Sequence, residues 1–258
     1  MILDEINDKT KERVAGLKET YPLERLMEEV EKLPRDRKFP FEEALKNKEI
    51  SFICEVKKAS PSKGLIASEF PYLDIAKEYE KAGAAAISVL TEPYFFQGKD
   101  RYLEEIKKAV SIPVLRKDFV VDEYMIYEAK KMGADIILLI CAILTDKQLR
   151  EYMELADSLG MSVLVEAHDE DEVQRALDAG ARIIGVNNRD LRDFTVDINN
   201  SVRLHRMVPD PVLFVAESGI QTKEDVQMLK KEGIHGVLIG ETLMRKPDKI
   251  KALEELRG

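Results

Sequence analysis

Between Asp122 and Ile140 the chain reads DEYMIYEAKKMGADIILLI. In its first half Tyr124, Tyr127, Ala129 and Met132 interleave with Glu123, Glu128, Lys130 and Lys131, the pattern of a helix with one apolar face, predicted over Asp122–Met132. Gly133 stands where that helix must stop, because helices commonly end on a left-handed residue and glycine adopts that conformation without a Cβ penalty. Ile136–Ile140 follows, apolar at every position, as in a strand covered on both faces. The same helix–glycine–strand passage recurs at Ala82-Gly83-Ala84, Ala179-Gly180-Ala181 and Glu232-Gly233-Ile234. Recurrence of one supersecondary unit marks a βα repeat.

Eight apolar, β-branched runs fit the repeat: Ser51–Val56, Ala86–Leu90, Val114–Arg116, Ile136–Ile140, Ser162–Val165, Ile183–Val186, Leu213–Ala216 and Gly236–Ile239. Helical stretches separate them, among them Leu73–Ala82, Thr145–Leu159, Asp169–Ala179 and Thr222–Glu232. This predicts an α/β fold, a closed (β/α)8 TIM barrel. No G-x-G-x-x-G follows the first strand, which weighs against a doubly wound dinucleotide fold. Residues 1–50 fall outside the repeat. They read as helices Leu3–Thr20 and Leu23–Leu33, joined to the barrel by the charged stretch Pro34–Pro40. The expected organisation is one domain over 1–258, with an N-terminal helical extension (1–50) packed on the barrel (51–258).

A chain of 258 residues suits one barrel, and 45% hydrophobic with 34% charged residues is the balance of a soluble globular protein. The net charge of −9 argues against nucleic acid or an anionic membrane surface as partner. It leaves room for a small anionic substrate, which needs only local donors. No apolar run reaches the roughly 20 residues of a membrane span. The start, MILDEINDKTKERV, has no apolar signal-peptide core, so the cytoplasm is the expected compartment. Cys54 and Cys141 lie in apolar runs and read as reduced core thiols.

In this fold the active site is built at the C-terminal ends of the strands. Period-2 alternation puts Glu55 and Lys57 on the face of Ile53, and Lys117 on the face of Leu115. Glu166, Asn187 and the Glu217-Ser218-Gly219 run close the fifth, sixth and seventh strands. Charged groups directly after buried strands are partly desolvated, which costs energy unless they pair or bind something. An ammonium beside a carboxylate supplies a general acid and a general base. No Ser–His–Asp or Cys–His arrangement points to acyl chemistry, and no His/Asp/Glu spacing suits a metal, so no metal is expected. His205 reads as a helix-surface residue and His235 as a loop residue; His168, two residues past Glu166, reads as a plain loop residue, with a place lining the mouth as the alternative. Gly219 and Gly240, after the seventh and eighth strands, mark a backbone phosphate site. Ser60-Pro61-Ser62-Lys63-Gly64 reads as a flexible polar loop over the mouth.

At these residues the chain resembles the indole-3-glycerol phosphate synthase family. The shared motifs are Glu55-Val-Lys57-Lys-Ala-Ser60-Pro61-Ser62-x-Gly64, Ser88-Val-Leu-Thr91-Glu92, Phe96-x-Gly98, Leu115-Arg-Lys117-Asp118-Phe119, Gly133-Ala-Asp135 with Leu138-Leu-Ile140, Leu164-Val-Glu166, Gly185-Val-Asn187-Asn188-Arg189-Asp190-Leu191, Glu217-Ser218-Gly219-Ile220 and Leu238-Ile-Gly240-Glu241. They run in order from the first strand to the eighth. The resemblance implies a carboxy-lyase of tryptophan biosynthesis, acting without cofactor on 1-(2-carboxyphenylamino)-1-deoxyribulose 5-phosphate. It implies Lys117 as general acid, Glu166 and Glu55 as the carboxylates of proton removal and dehydration, and Lys57 as anion holder and acid in dehydration. Ser218 belongs to the implied catalytic set, and Asn187 to it through the ribulose hydroxyls. Arg189 and Ser60 are placed near the substrate carboxylate, and Phe96, Phe119, Leu138 and Leu191 around the anthranilate ring. Ser218, Gly219, Gly240 and Glu241 form the implied phosphate cradle, Glu241 through its backbone. The family is commonly monomeric, so a monomer is expected.

Two alternatives stand beside this reading. Phosphoribosylanthranilate isomerase, another phosphate-binding barrel, works with a Cys and an Asp at strand ends, whereas alternation directs Cys54 away from Glu55. A non-catalytic phosphate-binding barrel needs the glycine loops but not the acid/base residues.

Overall fold

The computed structural model describes residues 2–190 and 192–258. Eight parallel strands close into a barrel: β1 Ser51–Val56, β2 Ala86–Leu90, β3 Val114–Lys117, β4 Ile136–Ile140, β5 Ser162–Ala167, β6 Ile183–Asn187, β7 Leu213–Glu217 and β8 Gly236–Ile239. Each pairs with its neighbours in sequence, and β1 pairs with both β2 and β8, which closes the cylinder. Four strands run past the expected ends, to Lys117, Ala167, Asn187 and Glu217, so the terminal polar residues belong to the ladders. Their orientation is therefore set by backbone hydrogen bonds and not by loop conformation.

Alternation divides the core in two. Inward-facing Ile53, Ala86, Leu115, Leu138, Leu164, Ile183, Val215 and Leu238 fill the barrel. Outward-facing Phe52, Cys54, Ile87, Val89, Ile137, Ile184 and Phe214 pack beneath the helices. Those helices include α4 Tyr72–Lys81, α5 Asp100–Ala109, α6 Glu123–Met132, α7 Asp146–Ser158, α8 Glu170–Asp178, α9 Asn199–His205 and α10 Lys223–Lys231. The short α11 Glu241–Met244 and the terminal α12 Lys249–Arg257 follow β8. Gly133 has φ +88° at the end of α6, the left-handed stop anticipated for that position. Side-chain caps from Asp122, Thr145, Asp169 and Thr222 satisfy backbone N–H groups in the first turns of α6, α7, α8 and α10.

The extension holds more structure than its sequence suggested. Helix α1 spans Ile2–Thr20 and α2 spans Leu23–Val30, the latter ending before Leu33 in turn-like bonds ahead of Pro34. A third helix, α3 Pro40–Leu45, replaces the expected direct passage into the barrel. Proline at its first position costs no hydrogen bond, since that N–H has no helical partner. Phe41 and Leu45 are fully buried and plug the floor of the barrel within the inward-facing cluster. Glu42 ties the plug to the wall through Arg182 at 2.9 Å and Ser162 at 3.3 Å. Truncating such an aromatic costs about 3–5 kcal/mol. At the opposite end α1 lies beside the mouth, where Arg13 Nη2 reaches Asp118 at 2.9 Å and Lys18 reaches Asp122 at 2.7 Å.

Candidate active site

The barrel register sets the polar residues at one level. Glu55 pairs in the ladder with Ser88, Leu90 with Lys117, Ile140 with Glu166, and Asn187 with Glu217. These side chains surround the inner end of a cavity of about 620 Å³ that opens at the C-terminal ends of the strands. Every site residue inferred from the sequence lines this cavity, except Leu191, which lies outside the described residues.

Lys117 is the centre of the charged set. Its Nζ donates to Glu166 Oε2 at 2.7 Å and to Glu217 Oε2 at 3.0 Å. Lys57 Nζ lies 2.7 Å from Glu55 Oε1, and Ser88 Oγ donates to the other Glu55 oxygen at 3.3 Å. Asn187 Nδ2 donates to Glu166 Oε1 at 3.3 Å, while its Oδ1 accepts the Arg189 backbone N–H at 3.0 Å. Burial disfavours the Lys117 ammonium, but Glu166, Glu217 and Glu55 outweigh it and raise its pKa above the usual lysine range. Burial also opposes ionisation of Glu166; Lys117, His168 and Asn187 overcome it and hold that carboxyl below the usual range. Glu217 goes the other way. Burial, with Glu166 and Glu55 adding like charge, pushes its carboxyl above the usual range despite Lys117. The set thus pairs an ionised carboxylate with a proton-holding one around a single ammonium, an arrangement that places an acid and a base within one site.

Glu217, at the end of the seventh strand, is a site residue that the sequence does not single out. Its Oε1 is buried without a hydrogen-bond partner among the described residues, and a side chain on Gly185 would collide with it. The absent side chain in β6 is the sequence signal that room is kept for this carboxylate. His168 is a second correction. It is not a plain loop residue: its ring is largely buried between Glu166 and Glu172. His205 likewise is half-buried at the end of α9, edge-on to Phe214, and not a surface residue.

Around this inner end the cavity has two chemically different sides. Phe96 and Phe119, with ring centroids 6.0 Å apart, and Leu138 form an apolar wall. Glu92 shapes the Phe96 loop by accepting the N–H groups of Tyr94, Phe95 and Phe96 at 2.7–3.0 Å. On the other side Ser218 and Gly219 take consecutive left-handed conformations (φ +67° and +84°), and Thr242 Oγ1 ties the loop after β8 to Ile220 O at 2.8 Å. A Cβ on Gly240 would meet Glu55 and Lys57, so glycine there lets the loop backbone lie directly on the charged set. Lys63, Arg245 and Lys246 add positive charge at this side. The Ser60–Gly64 segment is not an unstructured loop: Ala59–Ser60 and Gly64–Leu65 form a short antiparallel ladder at the mouth. Cys54 faces outward, fully buried, with its thiol pKa raised by desolvation, so the isomerase alternative lacks its cysteine at the mouth.

The family model of indole-3-glycerol phosphate synthase matches residues 3–256. The chain belongs to the indole-3-glycerol phosphate synthase family. It is 58% identical over 258 residues to the indole-3-glycerol phosphate synthase of Ruminiclostridium cellulolyticum, covering 100% of this chain and 99% of that one. It is 57% identical to that of Lacticaseibacillus paracasei over 249 residues, 96% of each chain. Among solved structures, 3-hexulose-6-phosphate synthase superposes with TM-score 0.65 at 18% identity, covering 81% of this chain and 98% of that one. KGPDC from Streptococcus mutans gives 0.62 at 13% identity, covering 81% and 96%. At those identities the two structures speak for the barrel fold alone. Among the described residues no group of His, Cys, Asp and Glu could hold a metal ion, and no helix is long and apolar enough to cross a membrane.

Proposed function

We propose that the chain closes the indole ring of 1-(2-carboxyphenylamino)-1-deoxyribulose 5-phosphate, releasing carbon dioxide and water, with Lys117 as the general acid. The observation that carries the reading is the Lys117 ammonium held between two carboxylates of opposite proton affinity, at 2.7 and 3.0 Å, at the junction of an apolar wall and a glycine-rich loop pair. The family to which the chain belongs supports the same reaction.

In this reading the anthranilate ring lies against Phe96, Phe119 and Leu138, and the phosphate in the backbone cradle of Ser218, Gly219, Gly240 and Glu241. The two ends of the substrate then fix the attacking aromatic carbon against the carbonyl carbon, the near-attack geometry from which most of the rate gain of positioning comes. Lys117 protonates the carbonyl oxygen as the ring attacks. Loss of carbon dioxide restores the aromatic ring, and Glu166 and Glu55 serve removal of the single methylene proton and the dehydration that leave the indole double bond. Lys57, paired with Glu55 at 2.7 Å, holds substrate anions and protonates the departing hydroxyl. Asn187 positions the ribulose hydroxyls; Arg189 and Ser60 face the substrate carboxylate. The doubly anionic substrate reconciles a net charge of −9 with a mouth furnished with Lys57, Lys63, Lys117 and Arg245. The chain works as one unit, a cytoplasmic monomer without cofactor.

The test is to mix purified protein with this substrate and follow the indole chromophore, alongside an isomerisation assay with phosphoribosylanthranilate. Indole formation alone supports the reading. Isomerisation without indole formation, or binding of substrate without turnover, overturns it.

A further inference from the structure

Glu166 has a neighbour that the ring-closing reaction, as derived above, does not use. His168 follows β5 directly and is held at three points. Its backbone N–H donates to Glu172 Oε2 at 2.8 Å, its Nδ1 lies 3.0 Å from the same oxygen, and its carbonyl accepts Asn200 Nδ2 at 3.1 Å. Glu172 is itself fixed in the first turn of α8, where Asp169 accepts its N–H at 2.9 Å. The ring therefore has little freedom to turn. Its remaining nitrogen, Nε2, is buried without a hydrogen bond among the described residues and sits 3.4 Å from Glu166 Oε1.

We propose that His168 is a positioning residue for Glu166: as an imidazolium it holds the Glu166 carboxylate ionised and against Lys117. The chemistry follows from the contacts. Glu172 is an acceptor, so Nδ1 carries a proton. A lone pair on Nε2 would face the negative Glu166 oxygen and repel it, whereas an N–H there attracts it. The doubly protonated ring thus matches the ionised form of Glu166, and the neutral ring matches its protonated form. Burial disfavours the imidazolium, but the hydrogen bond to Glu172 and the charges of Glu166, Glu172 and Glu217 outweigh it and raise the His168 pKa. The other charged groups acting on this pair are Lys117, which meets the second Glu166 oxygen, and Asp190 in the loop after β6. From the α9 side the facing group is the neutral Asn200 amide, and the Cys141 thiol is spent on the Glu172 carbonyl at 3.5 Å. His168 does not line the cavity, so it acts only through Glu166.

The inference rests on Glu166 being the base of the proposed reaction, and the experiment separates the two. In H168N, where an amide can replace the Nδ1 contact but nothing reaches Glu166, kcat falls roughly ten- to a hundred-fold, the scale of a displaced catalytic group, with KM unchanged. The acidic limb of the kcat profile moves to higher pH, because Glu166 has lost a cationic neighbour. H168Q, which carries an uncharged N–H toward Glu166, regains part of kcat but not the limb. By NMR titration the His168 imidazole pKa falls in E166Q. An unshifted limb in folded H168N, or an unchanged His168 titration in E166Q, overturns the inference. Near-parental turnover of E166Q instead overturns the role given to Glu166, whatever the titration shows.

Discussion

Arg116 and Lys117 are neighbours on β3, the first fully and the second largely buried and both surrounded by carboxylates, yet they face opposite sides of the barrel wall. Arg116 points outward beneath α5 and α6 and is 1% exposed. Its Nη1 donates to Met125 O at 2.8 Å and its Nε to Thr91 Oγ1 at 3.2 Å, while Nη2 pairs with Glu128 and lies 3.5 Å from Asp100 and 3.6 Å from Asp118. Asp118 is saturated in turn by Arg13, Thr91 and the Phe119 N–H. Lys117 points inward and, among the described residues, has two carboxylate partners for three ammonium hydrogens, beside a Glu217 oxygen that has none. Similar burial and similar charge therefore produce a closed network on one face of the strand and an open one on the other. Saturated groups hold structure; groups left short of partners, next to a cavity, are placed to exchange a proton or receive a ligand.

The contrast makes sharp demands on two substitutions. Lys117→Ala is expected to lower kcat per folded molecule by about 10²–10⁴, the usual contribution of a general acid, a loss that the folded fraction does not account for. Steady-state kinetics with a melting curve on the same sample checks both halves. Near-parental turnover would remove Lys117 from the chemistry. Arg116→Leu is expected to do the reverse. It strands Glu128, Asp118 and Asp100 without their shared cation, and breaking a buried pair in this way costs about 3–5 kcal/mol. Denaturant titration reads the loss, and turnover per folded molecule, assayed well below the midpoint, stays within a few-fold of the parent. A stable Arg116→Leu protein with turnover as low as Lys117→Ala would dissolve the distinction between the two faces.

The same contrast explains how much was legible in the sequence. Period-2 alternation separates Arg116 from Lys117 in the sequence alone and assigns Glu55 and Lys57 to the mouth for the same reason, while Glu166 and Asn187 are marked by closing their strands. Helix boundaries fell within a residue or two wherever a capping Asp or Thr and a terminal glycine bracketed them. What escaped depends on partners distant in sequence. Glu217 matters because it meets Lys117, 100 residues earlier, and because β6 keeps a glycine opposite it. His168 looks like a loop residue until Glu172 in α8 and Asn200 in α9 fix its ring. Helix α3, at six residues, is too short to display a period, and its role as a plug exists only once the barrel has closed over Phe41. Ala59–Ser60 and Gly64–Leu65 form their ladder across one tight turn with no apolar alternation to announce it.

The smallest effect expected is also the most specific to the open face. The folded pKa of Glu217 lies above the ordinary carboxylate value, through burial first and the charges of Glu166 and Glu55 next, with Lys117 opposing. A carboxyl that binds its proton more tightly folded than unfolded adds stability below the ordinary carboxylate range. That contribution is lost as pH rises through the raised folded value. Glutamine at this position stays neutral at every pH and escapes the loss. Glu217→Gln and the parent are therefore expected to have similar stability relative to each other in acid, with the variant gaining as pH is raised from about 5 to about 8, at no more than about 1.4 kcal/mol per pH unit. Chemical denaturation across that range measures the gap. A gap that does not change with pH, or that favours the parent in base, would make Glu217 an ordinary ionised partner of Lys117. It would then stand to Lys117 as Glu128 stands to Arg116, and the open face would hold one proton fewer than its geometry implies.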